Sequence, residues 1–195
     1  AWNDVGGAHG EAAHSRQKDS EEHGGKCRFA ATHPTGITND EGSVRTVIQR
    51  VSSASVDVDG SRIASIGAGI LALVAVVPSD TDADVTATVD KIANLRVFPD
   101  QDGRMNRSVV DISGEVLVVS QFTLAGAIRR GRRPSFSGAA VPEVAEPMVE
   151  AVAHQFAALG LGVATGAFGA MMEVELVNDG PVTFVVDTAH GSVVD

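Results

Sequence analysis

The chain has 195 residues, 44% of them apolar and 21% charged, with a formal charge of −10, one cysteine and no tyrosine. That suits one globular domain with at most a tail, and it excludes wholesale disorder, a Cys-rich zinc finger and an internal disulfide framework. The apolar stretch from Gly69 to Pro78 is too short to span a bilayer, and 25 acids against 15 bases exclude a strongly basic nucleic-acid binder, leaving room only for a local phosphate patch.

Residues 1–43 come first and read as a disordered or loosely draped extension. They hold seven glycines and four of the six histidines, with no apolar periodicity, so they cannot offset the entropy of ordering. They lack the apolar region of a secretory signal and are too acidic for a transit peptide. His9, His14, His23, His33 and Cys27 fit no zinc template, so no metal is expected. The segment reads as an expression remnant or translated upstream sequence, and the folded domain as residues 44–195.

Val44 to Val51 and Ser55 to Val58 alternate and are rich in Val and Ile, which predicts two strands. Asp59-Gly60 is a type I′ hairpin signal returning into Arg62 to Ile66. Ile70 to Val77 is a continuous apolar run, the mark of a strand buried on both faces. A helix is expected from Pro78-Ser79-Asp80, with Val85, Val89, Ile92 and Leu95 on its inner face and Asp80, Asp82 and Asp84 at its positive end. After a turn at Asp102-Gly103, Val116 to Leu124 predicts the next strand. A loop spans 125–141. A second helix covers roughly Glu143 to Leu159 with Val149, Val152, Phe156 and Leu159 inward. Pro147 argues for a start near Glu146, and Gly160 and Gly162 for a stop. Met171 to Asn178 and Val182 to Asp187 read as the last strands, joined by a turn at Asp179-Gly180-Pro181. This order favours an α/β domain with a mostly antiparallel, barrel-like sheet and two main helices. No phosphate-binding glycine motif opens a helix.

Three clusters carry possible chemistry. Ser120-Gln121-Phe122-Thr123 ends an apolar strand; its polar groups either satisfy neighbouring backbone or are aimed at a reacting carbonyl. Asn178 to Thr183 is either an ordinary Asx-Gly-Pro turn or a Gly-Pro step in the uncommon cis form. Arg129, Arg130, Arg132 and Arg133 form the one concentrated positive patch, either a solvated loop or a phosphate contact. His154 and His190 are not placed to activate Ser120 or Thr123, so a Ser-His-Asp triad is not expected. No zinc motif is present in the domain, and neither metal nor organic cofactor is implied.

Residues 44–188 resemble the D-aminoacyl-tRNA deacylase family. The resemblance rests on VIQRVSSASVDVDG, KIANLRVFPDQDGRMNRSV, GEVLVVSQFTL, GRRPSFSGAA and TGAFGAMMEVELVNDGPVTF. SQFTL and NDGPVT at this separation are highly specific. Val44 falls where family members begin, which a GTG start would explain. The resemblance implies a cytoplasmic homodimer that cleaves the ester between a D-amino acid and the 3′ end of tRNA. It implies no membrane or DNA partner. It implies that Gly180-Pro181 is cis and reaches the partner subunit's site. There its carbonyls would reject an L side chain, with Thr183 beside them at the substrate and Arg50 bracing the loop. Rejection by exclusion leaves glycine unopposed, so glycyl-tRNA would be cleaved too. Thr123 is a nucleophile on one family view. On the other the terminal ribose 2′-OH assists, Ser120 and Gln121 hold the adenosine and ester, and the Phe122 N–H receives the oxyanion. Phe168 and Met171 would wall the adenine pocket, and the four arginines would face phosphate. The run Ala125-Gly126-Ala127-Ile128-Arg129-Arg130 departs from the Tyr and Lys common there, which bears on contacts to the acceptor stem. Two other readings stand beside the deacylase: a silent module that binds RNA ends, and a general esterase acting through Thr123.

Overall fold

A computed structural model describes residues 43–194. The metal-ligand candidates of the tail, His9, His14, His23, His33 and Cys27, lie outside the described residues.

The first strand, β1 (Val44–Val58), is 15 residues long where the sequence predicts two strands. Ser52-Ser53 interrupts the apolar alternation, and the backbone answers with ladder irregularities around Val51 rather than a break. One edge of β1 pairs with β2 (Ser61–Ile66) and then β3 (Gly69–Ala75), both antiparallel. Asp59 and Gly60 at φ 51° and 74° make the hairpin that the Asp-Gly pair predicts. The other edge pairs with β8 (Glu173–Ala189), again one strand in place of two.

Beyond β3 the sheet continues through two parallel strands. Helix α1 (Asp82–Asn94) carries the chain from β3 back to β6 (Glu115–Ser120), and α2 (Pro142–Ala158) from β6 to β7 (Gly162–Thr165). Such crossovers leave β3, β6 and β7 parallel. The order is β7-β6-β3-β1-β8-β9, with β9 (Ser192–Val194) antiparallel to β8. β4 (Phe98–Pro99) and β5 (Met105–Arg107) form a separate two-stranded ribbon. The sheet is therefore mixed: the α/β class holds, and the antiparallel reading fits only the β1–β2–β3–β8–β9 pairings.

Both faces of the sheet are covered near its centre. On one, Val85, Val89 and Ile92 of α1 and Val152 and Phe156 of α2 pack on Ile70, Ala72, Val116 and Val118. On the other, Leu71, Leu117 and Val119 meet Val51, Ala54, Val56 and Ile66. This is why β3 is an unbroken apolar run.

The helices begin where caps permit. Thr81 caps α1, its N–H donating to the Asp84 carboxylate at 2.9 Å. Asp80, expected inside that helix, instead closes the turn before it and accepts the Val77 N–H at 2.7 Å. α2 starts at Pro142, earlier than Glu146: proline suits a first turn, and Pro147 lies inside the helix, where it removes one bond. Leu159 is exposed beyond the end of α2, and Met148 faces inward instead. Gly162 opens β7 rather than ending the helix. A Cβ there would meet the Glu115 side chain at 3.2 Å, so glycine permits the close strand approach.

Candidate active site

The parallel strands β3, β6 and β7 end on one side of the sheet, the side where ligands gather in open α/β sheets. The strand predicted over Val116 to Leu124 stops there, at Ser120, opposite Val74 of β3. Gln121 leaves the extended region and ties its N–H to the Val74 carbonyl at 2.7 Å. Phe122–Ala125 then wind into one 3-10 turn. Polar side chains that bond locally favour such a departure: the Gln121 amide Nε2 donates to the Thr123 hydroxyl oxygen. The N–H groups that open a turn have no partner within it, so the Phe122 N–H leads the turn. Thr123 is exposed, Ser120 and Gln121 are half-buried, and the exposed Phe122 ring meets Phe136 edge-to-face, centroids 5.0 Å apart.

Neighbouring β7 ends at Thr165, paired with Val118, and the Gly166 N–H continues onto the Val118 carbonyl at 2.9 Å. Phe168 follows, half-buried, and Met171 is 91% exposed. Both therefore issue from the strand end beside Ser120.

The second motif lies elsewhere. Gln49 pairs with Thr183 and Val51 with Asn178, so residues 179–182 bulge from β8 opposite the single residue Arg50. The Gly-Pro step is a bulge in a continuous strand, not a turn between strands, and a proline without an N–H suits an unpaired position. The Gly180-Pro181 bond is cis, and Gly180 sits at φ 128°. Arg50 holds the bulge from beneath. Its Nε donates to the Asp179 carbonyl at 3.0 Å and lies 3.1 Å from the Asp179 carboxylate, while Nη1 donates to the Val97 carbonyl. Thr183 Oγ1 accepts from Gln49 Nε2 at 3.3 Å and Asn178 Nδ2 at 3.1 Å, and Asn178 Oδ1 accepts the Val182 N–H at 3.0 Å.

Arg129, Arg130, Arg132 and Arg133 crown a small hairpin closed by reciprocal bonds between Ala127 and Ser135 at 2.7 and 2.9 Å. All four are exposed, and Gly131 turns the tip at φ 74°. Among the described residues, no group of three His, Cys, Asp or Glu is placed to hold a metal ion.

The register separates the two motifs within one chain. Ser120 lies level with Val74 and Thr46, whereas the bulge lies level with Arg50, Ile70 and Val116. Four residues along a strand is about 13 Å, with two strands intervening besides.

Residues 47–187 match the family model described as D-Tyr-tRNA(Tyr) deacylase. A D-aminoacyl-tRNA deacylase of Roseiflexus castenholzii is 59% identical over 146 residues, which are 75% of this chain and 93% of the relative. The chain belongs to the D-aminoacyl-tRNA deacylase family. Membership makes it a hydrolase acting on aminoacyl-tRNA. A second deacylase, from Opitutus terrae, is 57% identical over 146 residues, 74% of this chain and 97% of its own. A solved structure described as the c-Myc DNA unwinding element binding protein superposes with a TM-score of 0.68 at 41% identity, covering 72% of this chain and 96% of that one. Another, described as a probable eukaryotic D-amino acid tRNA deacylase, gives 0.65 at 17% identity over 74% and 99%, a likeness of fold.

Within this deacylase domain the sequence does not point to Gln49 or Phe136. Gln49 reaches Thr183 only through the β1–β8 register. Phe136 sits 14 residues after Phe122, in a segment with neither helical nor strand periodicity. Both fall within motifs that carry the resemblance, VIQRV and GRRPSF, but nothing local tells which side chain either one meets.

Proposed function

We propose that the chain hydrolyses the ester joining a D-amino acid, or glycine, to the 3′ end of tRNA in the cytoplasm, releasing the amino acid and reusable tRNA. It does so as a homodimer. The observation that carries this reading is the separation of the two motifs. A strand-end site at Ser120 to Thr123 and an exposed Gly180-Pro181 bulge about 13 Å along the sheet can serve one substrate if a second copy brings its bulge to the first copy's strand end.

In that complex Gly180-Pro181 of one copy forms a backbone rim beside the substrate's α-carbon. A D side chain points away from the rim and an L side chain runs into it. Glycine carries nothing to reject. Gly180 suits the rim because it adds no side chain, and the Arg50 and Thr183 contacts keep it rigid.

Water attacks the ester carbonyl, with the ribose 2′-OH relaying the proton and the 3′ oxygen leaving protonated. The Phe122 N–H receives the developing oxyanion. Ser120 and Gln121 hold the terminal adenosine, with Phe168 and Met171 against its base. Thr123 as nucleophile would need a base, and its observed partner is an amide donor, which takes no proton. That contact favours assistance by the substrate. The four arginines face phosphate.

The test is hydrolysis of D-Tyr-tRNA, L-Tyr-tRNA and glycyl-tRNA by the purified chain. Turnover of the D and glycyl esters with the L ester intact is expected. Equal cleavage of D and L points to a general esterase, and binding without turnover to a silent RNA-end module. Thr123→Ala should keep near-normal rate; a fall of about 10³ would make Thr123 the nucleophile.

A further inference from the structure

Phe136 lies in GRRPSF, outside every residue given a role above. Its ring stands edge-to-face on Phe122, centroids 5.0 Å apart and planes at 70°. Among the described residues this is the one such aromatic pair. Both rings are partly solvent-exposed, Phe122 at 56% and Phe136 at 39%, so the contact is a surface buttress rather than core.

The contact has a built socket. A Cβ on Gly126 would lie 3.0 and 3.1 Å from Phe136 ring carbons and 2.8 Å from the Thr123 carbonyl. Gly126 has φ −74° and ψ 134°, a conformation open to any residue. Glycine is needed there for the approach of the ring and of the Thr123 carbonyl, not for the backbone angle. The chain then makes the Ala127–Ser135 bridge, and Phe136 follows directly. The arginine hairpin therefore returns its last residue onto the turn that carries the Phe122 N–H and Thr123. The far side of the loop is pinned as well, by the Ala140 N–H on the Val76 carbonyl at 2.9 Å.

We infer that Phe136 is a positioning residue for hydrolysis: its ring, seated in the gap at Gly126, fixes the 3-10 turn so that the Phe122 N–H is aimed while the arginine hairpin holds phosphate. The inference rests on the proposed site at Ser120 to Thr123. Phe136 touches no reacting atom. It acts through Phe122, so its loss falls on the chemical step. Small displacements of an aimed donor are costly, and about 1 Å can slow a reaction roughly 100-fold.

The test is steady-state hydrolysis of D-Tyr-tRNA by the full chain and by Phe136→Leu, Phe136→Tyr, Phe122→Leu and the double Leu variant. Thermal melts accompany each. Phe136→Leu should lower kcat about tenfold or more with KM within about twofold. Phe136→Tyr should retain kcat, because it keeps the ring edge. The double variant should be no slower than the worse single one, the mark of one shared contact. Unchanged kcat in Phe136→Leu, a raised KM alone, or additive losses in the double variant would each overturn the inference. If Phe136→Leu melts early, failure of Phe136→Tyr to retain kcat while melting normally overturns it equally. An inactive wild-type chain would remove the deacylase reading and this inference together, whereas an active one with an indifferent Phe136 removes only the inference.

Discussion

Asp80 closes the turn after β3 with one carboxylate oxygen on the Val77 N–H, while the other is buried without a partner. Burial raises its pKa from 3.8 to about 6, against the pull of the Val77 bond and with a push from Asp84. A carboxyl raised on folding is stabilising while protonated. That contribution is whole below about pH 4 and is lost as pH climbs through 6. Asp80→Asn keeps the acceptor and removes the charge. It should stabilise the protein by about 1–2 kcal/mol at pH 8, a figure reduced for partial solvent screening, with no gain at pH 4. Denaturant melts at the two pH values check this. Gly180 shows a different constraint. At φ 128° a Cβ would lie 2.8 Å from Arg50 Nη2 and 2.9 Å from Val182 Cγ2. Gly180→Ala should displace the guanidinium that holds the bulge and slow D-aminoacyl-tRNA hydrolysis about tenfold or more. A wild-type rate would mean that the bulge does not shape the site.

Helix α2 runs through Pro147, which cannot donate to the Glu143 carbonyl one turn back. The first turns of the helix are solvent-exposed, so water can meet the freed carbonyl. Pro147→Ala should restore the bond and raise stability by about 1–3 kcal/mol, read as a higher melting temperature. An unchanged melt would show that local bending already absorbs the defect. Elements with periodicity over many residues are legible in the sequence: α1 through Val85, Val89 and Ile92, and β3 through its apolar run. β7 is not, because four residues opening with glycine carry no pattern and the strand exists only by pairing with β6. The continuous strands β1 and β8 each read as two in the sequence for the opposite reason. Ser52-Ser53 and Asp179 to Pro181 look like breaks, yet long cross-strand ladders on either side carry the backbone through.

Across the whole molecule the net charge is −10, yet four of its 15 basic residues share one hairpin tip. A net negative field opposes RNA at long range, so the phosphate contact proposed for that tip has to act locally. Arg132→Ala with Arg133→Ala should weaken tRNA binding and reduce the slope of log affinity against log salt by about 2, one unit per lost phosphate contact. Titrations at several salt concentrations give the slope directly, and an unchanged slope would place the tRNA elsewhere.

Composition, the Asp-Gly hairpin, the two helices and the motifs SQFTL and NDGPVT were all determined by the sequence alone, because each depends on residues within a few positions of one another. Tertiary structure decided what depends on register. It made the sheet mixed, turned the Gly-Pro step into a bulge over Arg50, put that bulge and Ser120 at different levels, and seated Phe136 on Phe122. Those facts arise from pairings between residues far apart in the chain, where side-chain identity limits the partners but the geometry of the assembled sheet selects among them.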